Sequence, residues 1–265
     1  MKSRATSGIA SSRILNRNLR RSLAPFALFA TLFVVPVFGQ VPDSFTNLQV
    51  FPEATPKREL IGTMRGFTSS LGVRCNHCHV GENPDSLEGY DFASDDKETK
   101  RTARAMLRMV AQINDTLLPA TGRESLTEVS CITCHRGVTK PQTLESVLTA
   151  TLEADGLDAT MAQYRELRDD HYGGGAYDFS PATLDALTES LAMGKGDFDA
   201  AGAINDLNLE FSPTADYALY LRSRLRLRAG DRAGAIAALE EAIEANPDVG
   251  WLKPQLEELL AAETD

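Results

Sequence analysis

Cys75-Asn76-His77-Cys78-His79 and Cys131-Ile132-Thr133-Cys134-His135 constrain this chain more than any other stretch of it. Both read C-x-x-C-H, and together they hold all four cysteines of the 265 residues. On a helix, positions i, i+3 and i+4 share one face. Two thiols can then bond one porphyrin edge while the adjacent imidazole reaches its iron, so the pattern marks covalent haem c. One such string is a weak signal; two, with no cysteine left over, are specific. Cys75, Cys78, Cys131 and Cys134 are read as attachment points for two covalently bound haem c groups. His79 and His135 are read as the proximal iron ligands. A zinc ribbon would need its pairs far closer than Cys78 and Cys131 stand. Disulfides have three possible pairings. Neither explains a histidine directly after each pair.

The start of the chain reads as a secretory signal peptide over residues 1–39. Lys2, Arg4, Arg13, Arg17, Arg20 and Arg21 precede an apolar run from about Leu23 to Phe38, and no acidic residue interrupts them. The run is short for a membrane span, and Val37-Phe38-Gly39 suits processing at small residues. Covalent haem is attached outside the bacterial cytoplasm, in an oxidising compartment. The expected location is therefore the periplasm, with no transmembrane anchor after processing.

Charge divides the remainder. Residues 40–141 carry 12 basic and 13 acidic side chains, whereas residues 142–265 carry 9 and 24. Such a shift suggests domains with different surfaces. Solubility is one account of the acidic part, and attraction to a basic partner is another. Nucleic acid is an improbable ligand for it. The expected fold is all-α: a dihaem domain over 40–142, a helical connector over 143–179 and a repeat domain over 180–265.

Within the haem domain, Leu60, Ile61, Met64, Phe67 and Leu71 recur at helical spacing, and Gly72 ends that helix. Gly81 to Asp96 reads as a loop. A second helix is expected from about Lys97 to Leu118, with an apolar stripe through Ala103, Met106, Leu107, Val110, Ile113 and Leu117, and Pro119 stops it. A six-coordinate haem needs a second axial ligand, either a thioether or an imidazole. His77 lies on the wrong face of its own motif and His171 lies well downstream, so methionine is the better candidate. For Met64 the pattern favours neither ligand nor core filler. Met106 sits mid-stripe and Met109 about 60° to one side, so periodicity leaves open which of the two meets iron.

Gly62 to Thr68, Leu71 to His79, Lys100 to Arg104, Met109 to Asn114 and Val129 to His135 resemble the cytochrome subunit of photosynthetic reaction centres. The resemblance covers roughly residues 55–142. That subunit is tetrahaem, and this chain looks like its downstream pair of haem segments. The resemblance implies that Met64, on the helix just before Cys75, is the distal ligand of the first haem. It prefers Met109 over Met106 for the second, because one unit of the family has a methionine as far before its first cysteine as Met109 stands before Cys131. The family's last haem takes a histidine from the half that is missing here, so the second site must use another ligand. Electron transfer is implied; donation to a photosynthetic reaction centre in particular is not.

In the acidic part, the interval from Gly196-Asp197 to Gly230-Asp231 equals that from Ser212-Pro213 to Asn246-Pro247. At about 34 residues, the period resembles that of a tetratricopeptide repeat. Ser180-Pro181 reads as a capped helix start, residues 144–170 are expected to pack beneath the array, and the glycines at 173–175 read as a hinge or a tight turn. Stacked hairpins of this kind present a surface to protein partners. The functional expectation is a one-electron carrier between redox proteins, docked through its repeats. The alternative is a dihaem peroxidase-like enzyme with one labile distal site.

Overall fold

The computed structural model describes residues 41–261, all within one compact unit. The expected signal peptide lies outside the described residues. Among those residues regular structure is helical, apart from a single antiparallel bridge between Val80 and Asp91.

Helix α1 spans Lys57–Leu71. Pro56 sits extended at its N-cap, where a missing N–H leaves no bond unmade. Gly72 ends it at φ 67, and the amides of Gly72 and Val73 both bond the Thr68 carbonyl. Helix α2 spans Glu98–Gln112 and continues as one π-helical stretch, Ile113–Leu117, before a 3-10 turn at Pro119–Thr121. Helix α3 is the second motif itself, Cys131–His135.

Helices α4, Leu144–Asp155, and α5, Leu157–His171, form a hairpin about Gly156, which takes φ 86. Then come α6, Pro181–Glu189, with a π-helical end at Ser190–Lys195, and α7, Phe198–Phe211. The last three are α8, Asp216–Arg228, α9, Arg232–Ala245, and α10, Leu252–Ala261. The sequence period is also a structural one. Asp197 caps α7 by accepting from the Ala200 amide at 3.0 Å, and Asp231 caps α9 by accepting from Gly234 at 2.8 Å. The helices leave through Ser212 at φ −138, ψ 66 and Asn246 at φ −136, ψ 69. Ala201, Ala218 and Ala235, evenly spaced at half the period and all fully buried, let these helices close on one another. The result is a set of tetratricopeptide-like helical hairpins.

The first hairpin packs with the repeats, as expected: Leu144, Leu148 and Tyr164 share a core with Leu184, Leu187, Ile204 and Leu207. A second core joins Leu219, Leu239 and Leu252. Buried amides tie the helices together. Asn205 donates to the Ala218 carbonyl at 2.9 Å, and Asn208 to the Pro181 carbonyl at 2.9 Å and Asp185 at 2.8 Å. Ser180 makes no side-chain cap; its amide instead donates to Asp178. The glycine stretch is a tight turn rather than a loose hinge. Gly173 and Gly175 take φ 77 and 78, and the Arg168 guanidinium is held 4.1 Å over the Tyr172 ring and 4.6 Å over Phe211.

Before Leu144, Leu60 alone among the described hydrophobic side chains is buried. No helix among the described residues is long and apolar enough to cross a membrane.

Candidate functional site

Where the N-terminal helices would be expected to enclose a core, there is a cavity of about 660 Å³. Met64 lines it from α1, and Cys75, Cys78 and His79 line it from the first motif. The first motif is not the regular helix its spacing suggests. It is a 3-10 turn, Cys75–His77, closed by one α-type bond from the His79 amide to the Cys75 carbonyl at 2.9 Å. The reason is long-range: Lys97 Nζ and Thr99 Oγ1, at the start of α2, donate to the Asn76 and His77 carbonyls. Those carbonyls are therefore not free to extend a helix.

His79 lies edge-on to Phe92, with ring centroids 5.1 Å apart, and Phe92 stacks on Tyr90. The His79 Nδ1 is buried and has no hydrogen-bond partner. Burial first, and then the Lys100 charge, push the His79 imidazole below its ordinary pKa, which favours the neutral, ligating form. Burial raises the Cys78 thiol. Gly81 is needed beneath Tyr90, because a Cβ there would stand 2.4 Å from the ring.

The residues at 41–51 were not legible as part of the site. They cross it as a strap, with Phe45, Leu48 and Phe51 on the cavity. Lys57 holds the strap by donating to the Val41 carbonyl and to Asp43, both at 2.6 Å. Asn47, at φ 66, donates to the Ala93 carbonyl at 2.7 Å, and its own carbonyl accepts from Arg104 at 3.0 Å. Arg104 and Lys100 also meet Asp95 at 2.7 and 3.3 Å, and Arg104 foremost holds that carboxyl well below the usual range. Lys100 donates to the carbonyls of Phe92, Ala93 and Ser94 as well. The one available signal was the i, i+4 pair Lys100 and Arg104 following Asp95 and Asp96.

The cavity suits a haem in kind. Its walls are mostly apolar, Arg65 and Arg74 are among its lining residues as cations for propionates, and it holds an unpartnered buried imidazole nitrogen, two thiols and a thioether. All four cysteines are free, and among the described residues no three His, Cys, Asp or Glu side chains gather as a bare metal ion would require.

The second motif is a single helical turn. Thr133 accepts from the Ser130 amide at 3.0 Å, and Arg136 and Gly137 leave it at φ 49 and 91. The His135 Nδ1 lies 2.9 Å from the Val138 carbonyl oxygen. A carbonyl only accepts, so Nδ1 carries the proton and Nε2 keeps a lone pair for a metal. The Gly137 amide donates to the Ser70 carbonyl at 2.8 Å, which seats this motif on the end of α1. Asn114 exchanges two 2.8 Å bonds with Val129, fixing its approach to α2.

The apolar stripe expected along α2 divides. Ala103 and Leu107 line the cavity, whereas Met106 and Met109 are 37% and 44% exposed. Met109 stands about 160° around the helix from Leu107. Met106 is therefore not the core residue that periodicity selects, since that face of α2 stays partly exposed. Leu117, Leu126 and Ile132 are exposed as well. Neither Met106 nor Met109 lines the first cavity. His77 stays on its own turn, and His171 packs edge-on against Tyr177 at 5.4 Å.

Compared with known proteins, residues 38–172 match the family described as photosynthetic reaction centre cytochrome C subunit. No curated protein matches the chain. Among solved structures, the first tetratricopeptide repeat of Spaghetti (RPAP3), bound to an HSP90 peptide, is 15% identical; the match covers 46% of this chain and 91% of that one, with a TM-score of 0.31.

Proposed function

The chain belongs to the photosynthetic reaction centre cytochrome c subunit family, and from that premise we propose that it is an exported dihaem c-type cytochrome passing single electrons between redox partners. The repeats over 180–265 would dock those partners. The observation that carries the reading is one cavity of about 660 Å³ lined by Met64, Cys75, Cys78 and His79.

Cys75 and Cys78 would tether the first haem, with His79 and Met64 as its axial ligands. Cys131 and Cys134 would tether the second, with His135 and Met109, or Met106 in place of Met109. A haem held by these residues would supply one-electron redox chemistry, and a thioether ligand from Met64 or Met109 would favour its reduced form. The apolar cavity wall and the strap would keep water from a group held there. Lys100 and Arg104, whose side chains are only 12% and 11% exposed, share the Asp95 carboxylate and leave one net positive charge at the cavity wall.

A reduced-pyridine spectrum together with intact mass counts the attached haems. Two per chain is the expected result, and a colourless periplasmic sample with the mass of bare polypeptide overturns the proposal.

A dihaem peroxidase-like enzyme is the second reading. It is favoured by the exposure of Met106 and Met109, at 37% and 44%, which leaves the second distal position open to displacement. A high-spin fraction in the resting protein, with peroxide turnover, would select it.

A further inference from the structure

Three aromatic rings stand open on the repeats. Tyr217 and Tyr220 on α8 lie 5.7 Å apart, and Trp251, just before α10, lies 6.0 Å from the first and 5.2 Å from the second. Trp251 is 41% exposed, and both tyrosines are partly exposed. Tyr220 also packs against the second core.

The charge nearest Tyr217 is negative, while Arg224 on α8 and Lys253 on α10 are cations of the same stretch. Tyr217 donates its hydroxyl to Glu189 at 2.7 Å. Asp185 feels Glu189 and Asp216 as repelling neighbours, and Asp185 is 5% exposed. Three carboxylates of these helices meet cations: Glu210 with Arg165 at 2.6 Å, Asp206 with Arg222 at 3.2 Å and Asp231 with Arg226 at 3.6 Å. Among the described residues Asp185, Glu189 and Asp216 enter no ion pair. Residues 142–265 carry 24 acidic against 9 basic side chains, so the wider field is also negative.

Partly exposed aromatic rings beside carboxylates that enter no ion pair attract a cation through both the ring quadrupole and the charge. From this juxtaposition we infer that Tyr217, Tyr220 and Trp251 form a cage for a lysine or arginine side chain on a basic segment of the docking partner. A second copy of this chain would bring the same negative field and be repelled. An apolar segment would bury Glu189 without a counter-charge, which is unfavourable. The inference rests on the docking role proposed for the repeats.

The test titrates the full-length holoprotein with a short Gly/Lys peptide by calorimetry at low salt, alongside the same peptide with acetylated lysines. The Lys peptide binds and weakens with salt; the acetylated one does not bind. Trp251→Ala lowers affinity roughly tenfold, and Glu189→Gln lowers it several-fold. Glu166→Gln, an exposed carboxylate on α5, leaves it unchanged. Equal loss in Glu166→Gln and Glu189→Gln with none in Trp251→Ala means that only general charge attracts the peptide, and overturns the cage. Equal binding of the acetylated peptide overturns it too, in favour of an apolar occupant. If Trp251→Ala loses helical circular dichroism, Glu189→Gln against Glu166→Gln decides alone. Haem content measured on the same samples separates the two claims: lost peptide binding at two haems per chain sinks the cage only, and a wrong haem count sinks the cytochrome reading.

Discussion

Gly72 and Gly137 lie so close that a Cβ on Gly72 would fall 2.1 Å from the Gly137 carbonyl oxygen. Gly72 leads into the first motif and Gly137 leaves the second. This contact, with the Gly137 amide on the Ser70 carbonyl, holds the two motifs in one register. Gly72 also takes φ 67, where a side chain costs about 1 kcal/mol before any clash. Gly72→Ala is expected to destabilise the holoprotein by about 2–4 kcal/mol and to shift the reduction potentials of both haems. Gly66→Ala, inside α1 with nothing near its Cβ position, should instead gain up to about 1 kcal/mol. Thermal unfolding and potentiometry of the two variants check the contrast.

Removing a distal ligand is a separate prediction. Met64→Ala should lose about half of the near-infrared band that marks thioether ligation to ferric haem, Met109→Ala should lose the other half, and Met106→Ala should lose none. Near-infrared absorption of the oxidised variants is the measurement. A band undiminished in Met64→Ala rules out that ligand, and loss in Met106→Ala in place of Met109→Ala exchanges the two methionines.

The folding of the haem part should depend on its cofactor, because Leu60 is the single buried hydrophobic side chain among its described residues. Replacing Cys75 and Cys78 together by serine should remove one haem by mass. It should also lower helical circular dichroism and open residues 57–142 to protease, while 144–261 resist. If the variant resists protease throughout, the helices hold without the group.

A pH effect follows from Asp185, whose carboxyl is pushed up to about 6, chiefly by burial. Below the ordinary carboxylate pKa both folded and unfolded forms are protonated, and the burial costs nothing extra. As pH rises through about 4 to 6 the unfolded chain ionises first, so stability is lost across that window. Asp185→Asn removes the titration and can still accept from Asn208. It is expected to gain on the order of 1–3 kcal/mol at pH 7 and nothing near pH 3.5. Denaturant melts of both proteins across pH give the difference; an equal gain at both pH values would contradict the assignment.

What was legible in the sequence was local. Pro56 and Gly72 bound α1 because one lacks an N–H and the other reaches positive φ. The repeat period returned as α7 and α9 because the same Asp cap opens both. The two motifs were visible as spacing, Met64 was singled out by the family resemblance, and the cavity gathers Met64 with the first motif. What was not legible depends on distant partners. The first motif stays a tight turn because Lys97 and Thr99 take its carbonyls. The stripe on α2 divides because one face meets a cavity and the other stays partly exposed. The strap is fixed by a bond between Arg104 and Asn47, far apart along the chain, and no periodicity encodes such a bond.

The hairpin exits at Ser212 and Asn246 share one backbone geometry, and the entries at Asp197 and Asp231 share another. A segment one repeat long can therefore be duplicated or deleted between such points with every junction unchanged. Evolution is free to lengthen or shorten the array without disturbing Met64, His79 or the ground they stand on.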